Sequence, residues 1–310
     1  MSEAQNGAVA ALDCGTNSTR LLVAGPDGST LVRLMRITRL GQGVDATKRL
    51  DPAAIERTVA VLSEFRQVMD EAGVTKGRLV STSAVRDASN GDMFLRAASE
   101  AIGFPAELLS GQEEGELAYA GATAGLAPFD GDDVIIDIGG GSTELVTQRD
   151  GSVQAYSMNI GCVRLTERFL RHDPPGGAQI TDMTKFIDGE IEQATRSLPV
   201  LAKLTTRCRF VGLAGSVTTL AALELGLPAY DSDRIHHSVL SRDAVAGWCT
   251  TLAAESSAAR AQRAGMVPGR ADVIVGGAYV LRQVMEHFGF DTCMASETDI
   301  LDGIAQSLMS

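Results

Sequence analysis

No stretch of this sequence approaches the roughly 18 uninterrupted apolar residues that a membrane-spanning helix requires. The opening MSEAQNGAVA lacks a basic segment followed by an apolar one, so no secretory signal is read and a cytoplasmic location is expected. Cysteine is scarce and unpatterned. Cys14, Cys162, Cys208, Cys249 and Cys293 are odd in number and form no C-x-x-C, so they read as small buried hydrophobes rather than a disulfide framework or a zinc site. The four histidines, His172, His236, His237 and His287, show no metal-ligand spacing. Heptads, low-complexity tracts and charged tails are also missing. So is a basic excess: the net charge is −12 at pH 7, which argues against general nucleic-acid binding.

What is present suits two ordinary domains: 310 residues, 45% of them hydrophobic, enough to build real cores. The charge is uneven. Residues 101–150 hold ten acids against the single base Arg149, whereas Arg20, Arg33, Arg36, Arg39, Lys48 and Arg49 gather in the first 50 residues. A polyanionic ligand would therefore need a local basic track and metal ions, because the global field repels it. Extended apolar runs occur at 8–13, 20–24, 30–35, 78–82 and 106–109, with helix-length amphipathic runs at 52–72, 92–102 and 112–124. After a loop near residue 126 the series restarts, with strands near 133–138, 143–148, 152–157 and 208–213 and helices near 161–171, 181–200, 216–225, 241–254, 271–287 and 299–308. Two such openings predict a duplicated α/β domain, divided as 1–126 and 127–310, with the last helix, about 298–310, able to pack back on the first half.

One phrase is written twice. ALDCGTNSTRLLV (11–23) and VIIDIGGGSTELV (134–146) superimpose when Asp13 is set on Asp137, which also pairs Gly15 with Gly139, Ser18 with Ser142 and Thr19 with Thr143. Each copy reads as strand, tight polar turn, strand. A turn of Gly, Asn, Ser and Thr presents the backbone N–H groups and hydroxyls that cradle a phosphate. An aspartate just before it can hold a divalent cation that neutralises the phosphate charge. A lone GGGS would be only a turn; its duplication points to a paired phosphate clamp.

These paired loops resemble the actin-like superfamily of sugar and acetate kinases, actin and heat-shock chaperones. Within it, DCGTNSTRLLV is similar to the opening motif of the exopolyphosphatase and guanosine pentaphosphate phosphohydrolase family. STSAVRDASN (81–90), LSGQEEGELAY (109–119) and DIGGGSTEL (137–145) resemble three further motifs of that family, in the same order. The resemblance spans most of the chain and weakens in 172–205 and 225–265. It implies two ribonuclease H-like domains with a cleft between them.

Residue by residue, Ser110 and Glu113 fit a helix capping box, which is a sufficient reason for Glu113. The resemblance places the catalytic carboxylate on the next residue, Glu114, and phosphoanhydride hydrolysis needs such a group to orient and deprotonate water. Arg20 and Arg86 suit bidentate contact with phosphate oxygens, with a surface salt bridge as the plain alternative. Gly15, Thr16, Asn17, Ser18, Gly139, Gly140, Gly141, Ser142 and Thr143 form the two loops. Asp13, Asp137 and Glu144 are the candidate Mg²⁺ or Mn²⁺ ligands, with a cross-strand role open for Glu144. Gly215 and Ser216, in VGLAGSVTTLAAL, resemble a turn that lines the cleft, and helix–strand packing explains those glycines equally. Gly161 and Arg164, in NIGCVRLTE, resemble a turn near the cleft, again with a packing role open.

The expected activity is metal-dependent release of orthophosphate from the end of inorganic polyphosphate. Guanosine pentaphosphate (pppGpp) presents the same terminal phosphoanhydride and stands as the alternative substrate. A small-molecule kinase or ATPase would need an adenosine pocket and an acceptor base, and a filament or chaperone would pellet or capture peptide. Longer members of the family carry extra C-terminal helical domains, whereas this sequence stops after ETDILDGIAQSLM. A preference for short chains is therefore expected, with a homodimer possible.

Overall fold

The run AVAALDC holds nothing bulkier than leucine, and as strand β1 (Ala8–Cys14) it is buried along its whole length. A strand covered on both faces reads as a continuous apolar run rather than an alternation. β2 (Ser18–Ala24) and β3 (Thr30–Ile37) follow as antiparallel partners, while β4 (Val74–Ser81) and β5 (Ala106–Leu108) join in parallel. The resulting order is β3-β2-β1-β4-β5. In this computed structural model, residues 7–204 and 207–309 are described; Met1–Asn6, part of the stretch read for a signal, lie outside them.

The helix Pro52–Glu71 starts where Asp51 caps it, accepting from the N–H groups of Ala53 and Ala54, with proline in the first turn. Its buried stripe, Ile55, Leu62, Phe65 and Met69, repeats at helical spacing and packs with Phe94, Ala98 and Ile102 of the helix Gly91–Ile102. The last helix, Ile300–Met309, lies along β1 and belongs to this first unit, Met1–Gly121 with Ile300–Ser310. Gly303 permits its docking. A Cβ there would come 2.0 Å from the carbonyl oxygen of Leu117, in the helix Gly111–Thr123.

The second unit, Ala122–Asp299, repeats the plan. β6 (Asp132–Ile138), β7 (Thr143–Arg149) and β8 (Ser152–Met158) form the antiparallel opening, and β9 (Cys208–Leu213) runs parallel to β6. β10 (Val239–Ser241) and β11 (Thr292–Ala295) complete the order β10-β11-β9-β6-β7-β8. Without β10, the series β8-β7-β6-β9-β11 repeats β3-β2-β1-β4-β5 strand for strand. Its core is closed by the helix Ile274–Phe288, apolar nearly all round and buried accordingly, and by Phe210 stacked on Phe290 at 4.3 Å. β10 and β11 carry no readable alternation at three and four residues. The helix expected from residue 181 begins at Gly177, ahead of its first buried residue, Met183.

Candidate functional site

In the first unit the candidate residues gather at the carboxyl ends of the parallel strands, where open α/β sheets present ligand sites. Asp13 lies directly opposite Arg20 across the β1–β2 pair. Opposed residues share a face, with Cβ atoms about 5 Å apart. The guanidinium closes on the carboxylate, with Nη2 2.7 Å and Nε 3.1 Å from Oδ2. Arg20 thus has an anionic partner within its own hairpin. The turn between them is held from below: Thr16 O accepts from Gly41 N at 2.9 Å, and Asn17 O accepts from Thr38 N and Arg39 N at 3.1 and 2.9 Å. Gly41 has no room for a side chain, since a Cβ would come 2.4 Å from Thr16 Cγ2 and 2.9 Å from Ala84 Cβ. That close packing sets the turn beside the short helix Ser83–Arg86, which follows β4.

Arg86 reaches from that helix to the next candidate. Its Nη1 donates to the carbonyl of Leu109 at 2.9 Å and to Glu114 Oε2 at 3.3 Å. The two adjacent glutamates have separate tasks. Glu113 closes the capping box, its Oε2 accepting from Ser110 N at 2.9 Å and Ser110 Oγ at 2.8 Å, while its own N–H donates to Ser110 Oγ. The backbone bond from Ser110, followed by the hydroxyl bond, holds the Glu113 carboxyl below the usual carboxylate range. Glu114 takes no part in the cap and is 8% exposed.

The second hairpin repeats the register with different charge. Asp137 lies directly opposite Glu144, in the place where the first hairpin sets Asp13 against Arg20. Both carboxylates are buried, at 7% and 1% exposure. On its other side Glu144 faces Ser157, whose hydroxyl donates to Oε1 at 2.6 Å. Thr143 is fully buried and its hydroxyl donates to Ile160 O, so the structure gives that hydroxyl a framework partner. Gly139, Gly140 and Gly141 form the turn itself.

Leu213 pairs in register with Asp137, which brings the start of the helix Ala214–Glu224, with Gly215 and Ser216, beside the second hairpin. Ala214 adopts φ 62°, a left-handed conformation that L-residues seldom take. Gly215 lies against the guanidinium of Arg270, whose Cζ would be 1.8 Å from an added Cβ, and Ser216 packs on Gly277. Ser157 and Arg270 are the neighbours that sequence reasoning missed. Writing out the β7–β8 register would have found Ser157, since it stands opposite Glu144; nothing in the local sequence marks Arg270 as a partner of Gly215.

Burial, with the Asp13 charge adding to it, pushes the Cys14 thiol well above its ordinary value, and burial does the same to Cys162 beside the second turn. Neither is a thiolate nucleophile at neutral pH. Among the described residues no helix is long and apolar enough to cross a membrane, and no three His, Cys, Asp or Glu side chains cluster for a metal ion.

A profile of the Ppx/GppA phosphatase family matches residues 23–310. The chain belongs to the Ppx/GppA phosphatase family. It is similar to the exopolyphosphatase 2 of Mycobacterium tuberculosis, with 42% identity over 317 residues covering 97% of this chain and 98% of the relative. A crystal structure of an exopolyphosphatase-like protein matches with a TM-score of 0.92 and 36% identity, over 97% of this chain and 98% of that one. An exopolyphosphatase from Cytophaga hutchinsonii matches with a TM-score of 0.86 and 25% identity, over 97% of each chain. The fold of this Ppx/GppA phosphatase is the actin-like α/β fold, with its ribonuclease H-like unit present twice.

Proposed function

We propose that this Ppx/GppA phosphatase is an exopolyphosphatase, a hydrolase that removes the terminal phosphate of inorganic polyphosphate. The observation that carries the chemistry is Glu114, a buried carboxylate oriented by Arg86 while its neighbour Glu113 is used up in the helix cap. Similarity to exopolyphosphatase 2 along 97% of the chain supports polyphosphate as the substrate. In the proposed reaction Glu114 orients a water molecule and takes its proton as the oxygen attacks the terminal phosphorus. The P–O bond of the anhydride breaks in line, and orthophosphate departs from a chain one phosphate shorter. The amides and hydroxyls of the turns Thr16 to Ser18 and Gly140 to Ser142 are donors of the kind that bind phosphate oxygens.

A divalent cation suits the donor set. Mg²⁺ is bound by one or two carboxylates, with water and substrate phosphate filling its remaining positions, and the opposed Asp137 and Glu144 supply such a pair. In the first unit the candidate ligand Asp13 is held by Arg20. When bound, the ion supplies charge neutralisation on the phosphate oxygens.

The basic supply for a long polyanion is limited, because much of it is spent inside the first unit. Arg33 pairs with Asp302, Arg36 with Glu64, Lys48 with Asp45 and Arg78 with Glu107. This supports a preference for short chains. The deciding experiment is phosphate release measured in parallel on short polyphosphate, long polyphosphate, guanosine pentaphosphate and ATP. The expected order has short polyphosphate first; faster release from guanosine pentaphosphate than from any polyphosphate would transfer the enzyme to that substrate.

A further inference from the structure

The two phosphate turns are held by the same device, and in one of them a side chain has taken over the task of the backbone. In the first hairpin, Thr16 O and Asn17 O are occupied by N–H groups of the segment that returns after β3, Thr38 to Gly41. In the second, the segment that returns after β8 opens the helix Cys162–Phe169. The first N–H groups of a helix have no partner inside it, and Gly161, at the cap position, has no side chain to offer one. The turn supplies the acceptors: Gly139 O takes Cys162 N at 3.0 Å, and Gly140 O takes Val163 N at 2.9 Å and Arg164 N at 3.1 Å. Gly141 O, at the position of Asn17 O, takes Arg164 Nε at 2.7 Å. Two backbone donors in the first copy are replaced by one guanidinium donor in the second.

The consequence follows from the peptide plane. In a trans peptide the carbonyl of one residue and the N–H of the next point in opposite directions. The sole cis bond among the described residues is Asp173–Pro174, so the turn's peptides are trans. With the carbonyls of Gly139, Gly140 and Gly141 drawn onto the helix start, the N–H groups of Gly140, Gly141 and Ser142 face the other way, together. Three convergent amides form an anion-binding nest. A carbonyl that accepts from a helix N-terminus also polarises its own peptide, which strengthens the N–H it presents.

We infer that Arg164 is a positioning residue: by holding the Gly141 carbonyl it keeps the Gly141–Ser142 peptide from turning over and presenting oxygen to the phosphate. This deepens the proposed function and rests on the second turn being a phosphate site. Gly161 belongs to the same device, because a Cβ there would come 2.3 Å from Gly140 C and push the turn off the helix. Arg164 is 8% exposed, consistent with action through the turn rather than from the surface.

The test uses inorganic tripolyphosphate as the probe, bound with Mg²⁺ to full-length protein carrying Glu114→Gln so that turnover does not intervene. Adding Arg164→Gln should weaken calorimetric binding about tenfold, the worth of one lost hydrogen bond to a site-forming group, without a matching fall in melting temperature. Arg164→Lys keeps the charge without the planar Nε donor and should lie between. The amide resonances of Gly140, Gly141 and Ser142 should shift on tripolyphosphate addition in the Glu114→Gln parent, and the Ser142 shift should shrink in either Arg164 variant. Affinity equal to the parent in whichever Arg164 variant folds, or binding without response from those amides, overturns the inference. Failure of the parent to bind tripolyphosphate at all would instead remove the exopolyphosphatase reading.

Discussion

Glu113 and Glu114 stand side by side in one helical turn and are separated by what each touches. If Glu114 is the general base, Glu114→Gln should fold normally and bind substrate but lose about 10²–10⁴ in kcat. Glu113→Gln should leave kcat nearly unchanged and lower the melting temperature, because it weakens the bonds to Ser110. The pH dependence has a definite sign. A carboxyl held below its ordinary range contributes stability above its unfolded pKa, and loses it as pH falls through the folded value. The gap in melting temperature between wild type and Glu113→Gln should therefore narrow in acid, and a gap that stays constant to low pH would contradict the cap assignment. Asp137→Asn should raise the Mg²⁺ concentration for half-maximal activity, measured as phosphate release against metal, while full wild-type activity in excess chelator would remove the metal from the reaction.

Elements in this fold are joined at places where a side chain would not fit. Gly303 admits the last helix to within van der Waals reach of the Leu117 carbonyl, backbone against backbone. A methyl group there has nowhere flexible to go, so Gly303→Ala should destabilise the first unit by about 1–3 kcal/mol, the usual cost of overpacking. Denaturant unfolding with a probe in each unit checks this; a loss confined to the second unit would show that the helix Ile300–Met309 matters elsewhere. Gly41 and Gly161 do the same at the two turns. The repeated strand order explains why these glycines recur: the same three-stranded opening must return its chain under the same turn.

At the scale of the whole molecule, a net charge of −12 gives a long polyanion no general attraction, and the paired bases of the first unit leave a short track. The expected behaviour is release of the substrate between cuts, with apparent affinity falling steeply as salt is added, since exposed charge contacts are screened first. A gel time course on long polyphosphate should show the whole population shortening gradually. Persistence of full-length chains beside accumulating orthophosphate, without intermediates, would establish a processive enzyme instead.

The sequence by itself determined the fold class, because the duplicated phrase and the strand–helix alternation are local patterns that burial preserves. It also determined the separation of Glu113 from Glu114, since a capping box is defined by spacing alone. Residues 106–108 were legible as a strand on flanking apolar pattern, whereas Val239–Ser241 and Thr292–Ala295 were too short to show a period. What only the tertiary structure decided concerns partners distant in the chain. Arg270 closes on Gly215 through packing that no local window contains, whereas Arg20 on Asp13 and Ser157 on Glu144 follow from hairpin register. Arg164 and Gly161 were visible as a motif, but their grip on the Gly139–Gly141 carbonyls exists only once β8 has brought the following helix back beneath the turn. Hydrogen-bond direction is a property of assembled backbone, and no residue type states it.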